Sequence, residues 1–184
     1  MRSPGHASFH DWLLARPHLS LAAAAVIGAL LAVTVAASGR AATPVPSCAT
    51  PRLVVWLDTT ANGAAGSVYY HLKFTNLSGH ACRMRGFPGV SAVTLVGNRI
   101  GKAASRSTSK VQTVRLAQGK TATALLRVVN TSNYPAPRCR PAIAAGLRVY
   151  PPGAGVSKVI PFTFRSCRRA VPVLSVGAVF AGAG

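Results

Sequence analysis

Carboxylates are almost missing from this chain. Asp11 and Asp58 stand alone against 21 Lys and Arg in 184 residues, for a formal net charge of +19. Chemistry that runs on paired carboxylates, such as glycoside hydrolysis or aspartic proteolysis, is therefore excluded from the sequence. Calcium and magnesium cages of acidic side chains are excluded for the same reason. Close cysteine pairs are missing too. The four cysteines are Cys48, Cys82, Cys139 and Cys167, spaced far too widely for a C-x₂-C zinc site. No G-x-S-x-G nucleophile motif and no Walker loop occurs, and the glycine-rich spots lack a strand–loop–helix context. No cofactor or resident metal is expected. His80, Cys82 and Met84 lie close together, but a copper site would need the Cys82 thiol free.

One long stretch lacks charge altogether. Residues 19–37 (LSLAAAAVIGALLAVTVAA) carry only Ser20 and Thr34 as polar side chains, and as a helix would rise about 28 Å, close to the thickness of a bilayer's hydrocarbon. Arg2 and Arg16 precede the stretch and Arg40 comes after it, which keeps the N-terminus inside and sends the C-terminus out. Two readings stay open. Val35-Ala36-Ala37 and Ala36-Ala37-Ser38 both fit signal cleavage, whereas the full span fits a membrane anchor. Either one exports the rest of the chain. A lipidated Cys48 is disfavoured by its distance from the apolar core and by Pro46. The expected organisation is a cytoplasmic polar start over residues 1–18, the signal or transmembrane helix over 19–37, a linker over 38–47, one exported domain over 48–176 and a flexible tail over 177–184.

The exported part alternates short β-branched and aromatic runs with Gly, Pro, Asn and Ser, and shows no strong 3.6-residue period. Strands are expected over residues 53–57, 67–76, 81–85, 90–96, 110–116, 121–129, 147–150, 159–165 and 171–176, with one short helical turn over 142–145. In the second strand Val68, Tyr70, Leu72 and Phe74 share the apolar face, leaving His71 and Lys73 on the polar one. In the sixth, Ala122, Ala124, Leu126 and Val128 share a face. Asn76 and Ser78 suit a side-chain-capped turn, and Phe87-Pro88-Gly89-Val90 suits a type II turn. Many short strands and little helix describe an all-β, antiparallel, immunoglobulin-like sandwich. The position of Trp56 does not fit the Cys…Trp…Cys spacing of true immunoglobulin domains, so only the architecture is implied.

An even cysteine count in an exported chain reads as two disulfides, of which four cysteines allow three pairings. The pairing of sequence neighbours, Cys48–Cys82 and Cys139–Cys167, is favoured, each bond contributing about 3–4 kcal/mol by closing a loop of roughly 30 residues.

Several of these residues form a recognisable set. They are Cys48 with Leu53, Phe74-Thr75-Asn76 leading to Cys82, Gly86-Phe87-Pro88-Gly89-Val90, Leu116 with Gly119 and Ala122, Cys139-Arg140-Pro141, Val149-Tyr150-Pro151-Pro152, and Cys167. In this set the chain resembles the actinobacterial exported domain of unknown function family 4232, over most of the part beyond Ser47. Gln118 stands where that family commonly has proline. The resemblance implies an exported or envelope-attached β domain and supplies no activity or functional residues.

Residues 48–184 hold 18 basic side chains and one acid, a net +17. Such a domain attracts polyanions. The basic loop of Arg99, Lys102, Arg106 and Lys110 is the candidate anion-binding segment, with further clusters at Arg83 and Arg85, Arg138 and Arg140, and Arg165, Arg168 and Arg169. The expected function is a non-enzymatic envelope module for an anionic polymer, lipid headgroup or protein. A structural accessory domain without ligand is the alternative, and a hydrolase using His71 and Asp58 a third. Membrane contact through residues 19–37 is expected if they are uncleaved, and nucleic acid is not an expected partner, since export and the lack of interleaved aromatics argue against it. The oligomeric state is left open.

Overall fold

Strand follows strand through almost all of residues 44–182, the part of the chain that the computed structural model describes. The apolar stretch over residues 19–37 and the start over residues 1–18 lie outside that part. Among the described residues no helix is long and apolar enough to cross a membrane.

Among the described residues there are twelve strands: β1 Leu53–Ala64, β2 Ser67–Asn76, β3 Cys82–Arg85, β4 Gly89–Val93, β5 Arg99–Ile100, β6 Ser105–Arg106, β7 Thr113–Leu116, β8 Thr121–Val129, β9 Pro141–Tyr150, β10 Lys158–Cys167, β11 Leu174–Val176 and β12 Phe180–Ala181. One sheet runs β1-β2-β8-β11-β6, with β12 added to β8; a second runs β10-β9-β4-β5; β3 and β7 form a separate pair. The apolar rows of all three meet in one core. Leu72 and Phe74 of β2, with Ala124 and Leu126 of β8, face the same cluster as Val90, Leu147 and Val149 of the second sheet and Met84 and Leu116 of the third. Tyr70 of the first sheet also meets Phe162 of the second edge-on, with ring centres 5.0 Å apart.

The elements with clean alternation form as the sequence predicts. β2 spans the expected residues and pairs in antiparallel register with β8, Leu72 opposite Ala124 and Phe74 opposite Ala122. Both disulfides take the favoured pairing, Cys48 with Cys82 and Cys139 with Cys167.

Several expectations are corrected. β1 runs seven residues past Leu57, through a sequence poor in strand formers, because β2 supplies a partner along its length, with a register shift between Asp58 and Asn62. Residues 142–145 are strand rather than helical turn, since Ala142 and Ala144 pair with Ser166 and Phe164 of β10. Helix propensity in two alanines is a weak preference beside a strand ladder. Instead, a single helical turn sits just upstream at Ala136–Cys139. The sheets are not wholly antiparallel, because β6 pairs with β11 in parallel. Gly89 does not take the positive φ of a type II turn; Gly86 does, at φ 107. Gly89 opens β4 opposite Tyr150, whose Cβ would lie 3.4 Å from a side chain placed there. The chain past Val176 is no loose tail either: Val179 is buried and Phe180–Ala181 pairs with β8.

Asn76 ends β2 as a fully buried hub. Its Nδ2 donates to the carbonyls of His80 (2.8 Å) and Leu116 (3.0 Å), and its Oδ1 accepts from the Ser78 amide (2.9 Å). Its main chain is bonded to Lys120 and Gly119. One side chain thus holds the β2–β3 turn against the end of β7. Asn76→Ala should remove the side-chain partner of the buried Leu116 carbonyl and of the Ser78 amide, the His80 carbonyl keeping Ser78 Oγ, and destabilise the domain by about 2–4 kcal/mol. Urea unfolding checks this, the midpoint falling while the slope stays constant.

Candidate functional site

Asp58 is the acid on which any carboxylate chemistry in this domain would depend. It lies on β1 opposite His71 of β2 in the strand register. Its hydrogen bonds run elsewhere. Lys73 Nζ donates to Oδ2 at 2.8 Å and the Thr60 amide to Oδ1 at 3.0 Å. These hydrogen bonds, the one from Lys73 first, lower its pKa from the ordinary 3.8 to about 2. Lys73 in turn lies 4.8 Å from the centre of the Trp56 ring and is only 6 % exposed. The polar face expected for Lys73 is therefore a closed arrangement in which the lysine spends its charge on Asp58 and Trp56. The structure brings His71 and Asp58 onto neighbouring strands but commits the carboxylate to Lys73. His80 lies in the β2–β3 turn, where its carbonyl accepts from Asn76 and Ser78. Cys82 is disulfide-bonded and Met84 is buried in the core. No group of three or more His, Cys, Asp or Glu side chains able to hold a metal occurs among the described residues.

The four residues of the predicted anion-binding segment part company. Arg99 is in β5, at the edge of the second sheet, whereas Arg106 is in β6, at the edge of the first. Arg106 sits over the Phe87 ring at 5.5 Å. Lys102 is exposed just beyond β5, and Lys110 is exposed between β6 and β7. A single loop thus feeds cations to two sheet edges.

What gathers instead is Arg99 with residues far away in sequence. The Cys139–Cys167 bond closes the open end of the β9–β10 hairpin, where Pro141 pairs with Cys167. Beyond that end the Arg168 amide donates to the Arg140 carbonyl (3.0 Å) and the Arg169 amide to the Cys139 carbonyl (3.1 Å). Arg140 takes the left-handed conformation, φ 49. The β5 end lies against the same place, since a Cβ on Gly101 would overlap the Cys167 carbonyl oxygen. Gly101 is also at φ +62, so both its backbone and its neighbours call for glycine. Arg99 and Arg168 line one open pocket with Thr94 and Asn98. Arg138, Arg140, Arg168, Arg169, Arg99 and Lys102 are all exposed around the disulfide. The salt bridge found among the described residues is Lys73–Asp58, so none of these cations is neutralised by a carboxylate there.

The sequence places Arg140 with Arg138 and Arg168 with Arg165 and Arg169 in separate clusters, and does not mark Arg148, whose Nη2 donates to the Gly97 carbonyl (2.6 Å). It also suggests residues 90–96 as one strand. β4 stops at Val93, and Leu95 and Val96 stand 92 % and 81 % exposed in the turn to β5. Gly97, whose positive φ closes the turn after Val96, is the available signal.

A larger recess on the first sheet is lined by Tyr69, Ser109, Leu125, Arg127 and Phe180, among others. Among its polar groups, Arg127 Nε donates to Ser67 Oγ and Ser109 Oγ accepts from the Ala178 amide.

Against known proteins, residues 48–179 match the model of a family described as a domain of unknown function (DUF4232). No curated protein and no solved structure matches the chain.

The Asp58 pKa sets a pH dependence. A carboxyl lowered on folding adds stability that is complete above the unfolded value near 3.8 and is lost as pH falls toward the folded value of about 2. The melting temperature should therefore begin to fall below pH ~4. Asp58→Asn should lower it at neutral pH and flatten that acid limb, as followed by circular dichroism.

Proposed function

The chain belongs to the domain of unknown function family DUF4232, and from that premise we propose that it is an exported, non-enzymatic binding domain whose ligand is an anionic component of the cell envelope. Export is supported by the uncharged stretch over residues 19–37 and by two disulfides, a bond type that persists in oxidising compartments. The two larger sheets sharing one core suit the immunoglobulin-like sandwich expected of such a module. The observation that carries the binding reading is the gathering of Arg99, Arg168 and their neighbours at the Cys139–Cys167 end of the second sheet, with no carboxylate among them.

Arginine suits this task. Its guanidinium stays charged, is weakly hydrated and can present two parallel donors to one phosphate or carboxylate. A shallow, open surface of such groups fits a polymer or a surface rather than an enclosed small molecule. The commitment of Asp58 to Lys73 supports a role other than acid–base catalysis.

Long-chain polyphosphate is a suitable probe. Binding should be clear at about 50 mM NaCl and mostly lost at about 500 mM. Arg99→Gln with Arg168→Gln should weaken it about three- to tenfold, whereas Lys120→Gln in the turn before β8 should not. Absent or salt-independent binding would overturn the proposal in favour of an accessory domain without a ligand.

A further inference from the structure

The β4–β5 turn sets two large apolar side chains in open solvent, and its stiffness sets it apart from a loop tip with stray leucines. The Thr94 amide donates to the Asn98 carbonyl (2.9 Å) and the Gly97 amide to the Thr94 carbonyl (2.9 Å). The Asn98 amide donates to Thr94 Oγ1 (3.1 Å), and Arg148 of β9 braces the Gly97 carbonyl from the neighbouring strand. Gly97 carries the positive φ, 85°, that closes the turn. Leu95 and Val96 are thus held outward by a locked hairpin, 92 % and 81 % exposed. Exposing them wastes hydrophobic stabilisation unless something apolar receives them.

The surroundings say what that something is. Thr94 and Asn98, the base of the turn, line the pocket that also holds Arg99 and Arg168. Lys102 is exposed just beyond β5, next in sequence to Gly101, which packs against the Cys167 carbonyl. The tip is apolar and its collar is cationic, and among the described residues no carboxylate pairs with these cations. A soluble polyanion would complement the collar and leave Leu95 and Val96 in water. A bilayer with anionic headgroups complements both parts: phosphates meet the arginines while the tip enters the boundary between headgroups and acyl chains.

We infer that the β4–β5 hairpin is a membrane-docking element, with Leu95 and Val96 inserting into an anionic lipid surface and Arg99, Arg168 and Lys102 engaging the headgroups. This rests on the cationic-site reading above and gives it a specific partner. Neither half suffices alone. Two aliphatic side chains bind a surface weakly, and exposed charges alone are screened by salt.

The test uses the full-length protein in lipid nanodiscs, with Trp12→Phe and Trp56→Phe to clear background and Leu95→Trp as the probe. Position 95 is open to solvent, so the substitution leaves the core untouched. In nanodiscs of brominated phosphatidylglycerol the introduced indole should be quenched at least about twofold more than in brominated phosphatidylcholine. Adding Arg99→Gln and Arg168→Gln, or about 1 M NaCl, should bring quenching down to the neutral-lipid level. Equal quenching in both lipids, or none in either, overturns the inference. Polyphosphate binding by the same protein separates the two readings. Retained polyphosphate binding with an unquenched indole leaves the anion site standing and removes the bilayer; loss of both removes the two together.

Discussion

Cys139 and Cys167 are bonded where a long hairpin would otherwise fray. β9 begins two residues after the first cysteine and β10 ends on the second, so the bond shuts the hairpin at its open end. Much else leans on that closure. The helical turn Ala136–Cys139 and the left-handed Arg140 bring the main chain into reach of the Arg168 and Arg169 amides. The Cys167 carbonyl is then the surface against which Gly101 packs, and this places the end of β5. Reduction would therefore do more than release about 3–4 kcal/mol of loop entropy. It would free the two segments that carry Arg138, Arg140, Arg168 and Arg169 and unseat the strand that carries Arg99.

The scarcity of carboxylates shapes the rest of the surface. In most domains a crowded cation finds an acid nearby. Here Asp58 is taken by Lys73, the one cation buried along the outer row of β2. A buried ammonium is tolerable only when paired, and this one has its carboxylate at 2.8 Å and the face of Trp56 beside it. Among the described residues, other cations meet neutral groups, as Arg127 meets Ser67 and Arg148 meets the Gly97 carbonyl. Like charges at the second disulfide repel one another, so covalent closure and a dense hydrogen-bonded turn hold together a surface that electrostatics alone would spread.

The parts legible in the sequence are those in which local pattern and tertiary environment agree. β2 and β8 alternate cleanly, and the structure pairs them with their apolar rows inward. Asn76 and Ser78 make the expected capped turn because the interaction is two residues long. The residues that misled are those whose state is decided by distant partners. Residues 58–64 hold few strand formers yet extend β1 because β2 offers a ladder. Ala142 and Ala144 are helix formers that β10 recruits into a sheet. Lys73 occupies a position that alternation marks as solvent-facing, yet it is buried between Trp56 of β1 and Thr123 of β8, with Asp58 on its ammonium. The candidate site was half legible: Arg99 and Lys102 were singled out, but the segment's split between two sheets depends on β6 pairing in parallel with β11, which no local signal announces.

The β4–β5 turn shows why such a site escapes composition-based reading. Leu95 and Val96 continue the apolar run of Val90, Ala92 and Val93, so by pattern they belong to the core. In the structure β4 pairs with β9 only as far as Val93, opposite Gly146, and the turn closes at once. Had the hairpin been two residues longer, these side chains would have had strand neighbours, and the arginines at its base would have been further from its tip. The short β5 instead keeps Arg99 within four residues of Leu95. Apolar tip and cationic collar are therefore a consequence of one geometric fact, a strand that stops early against a hairpin stapled shut beside it.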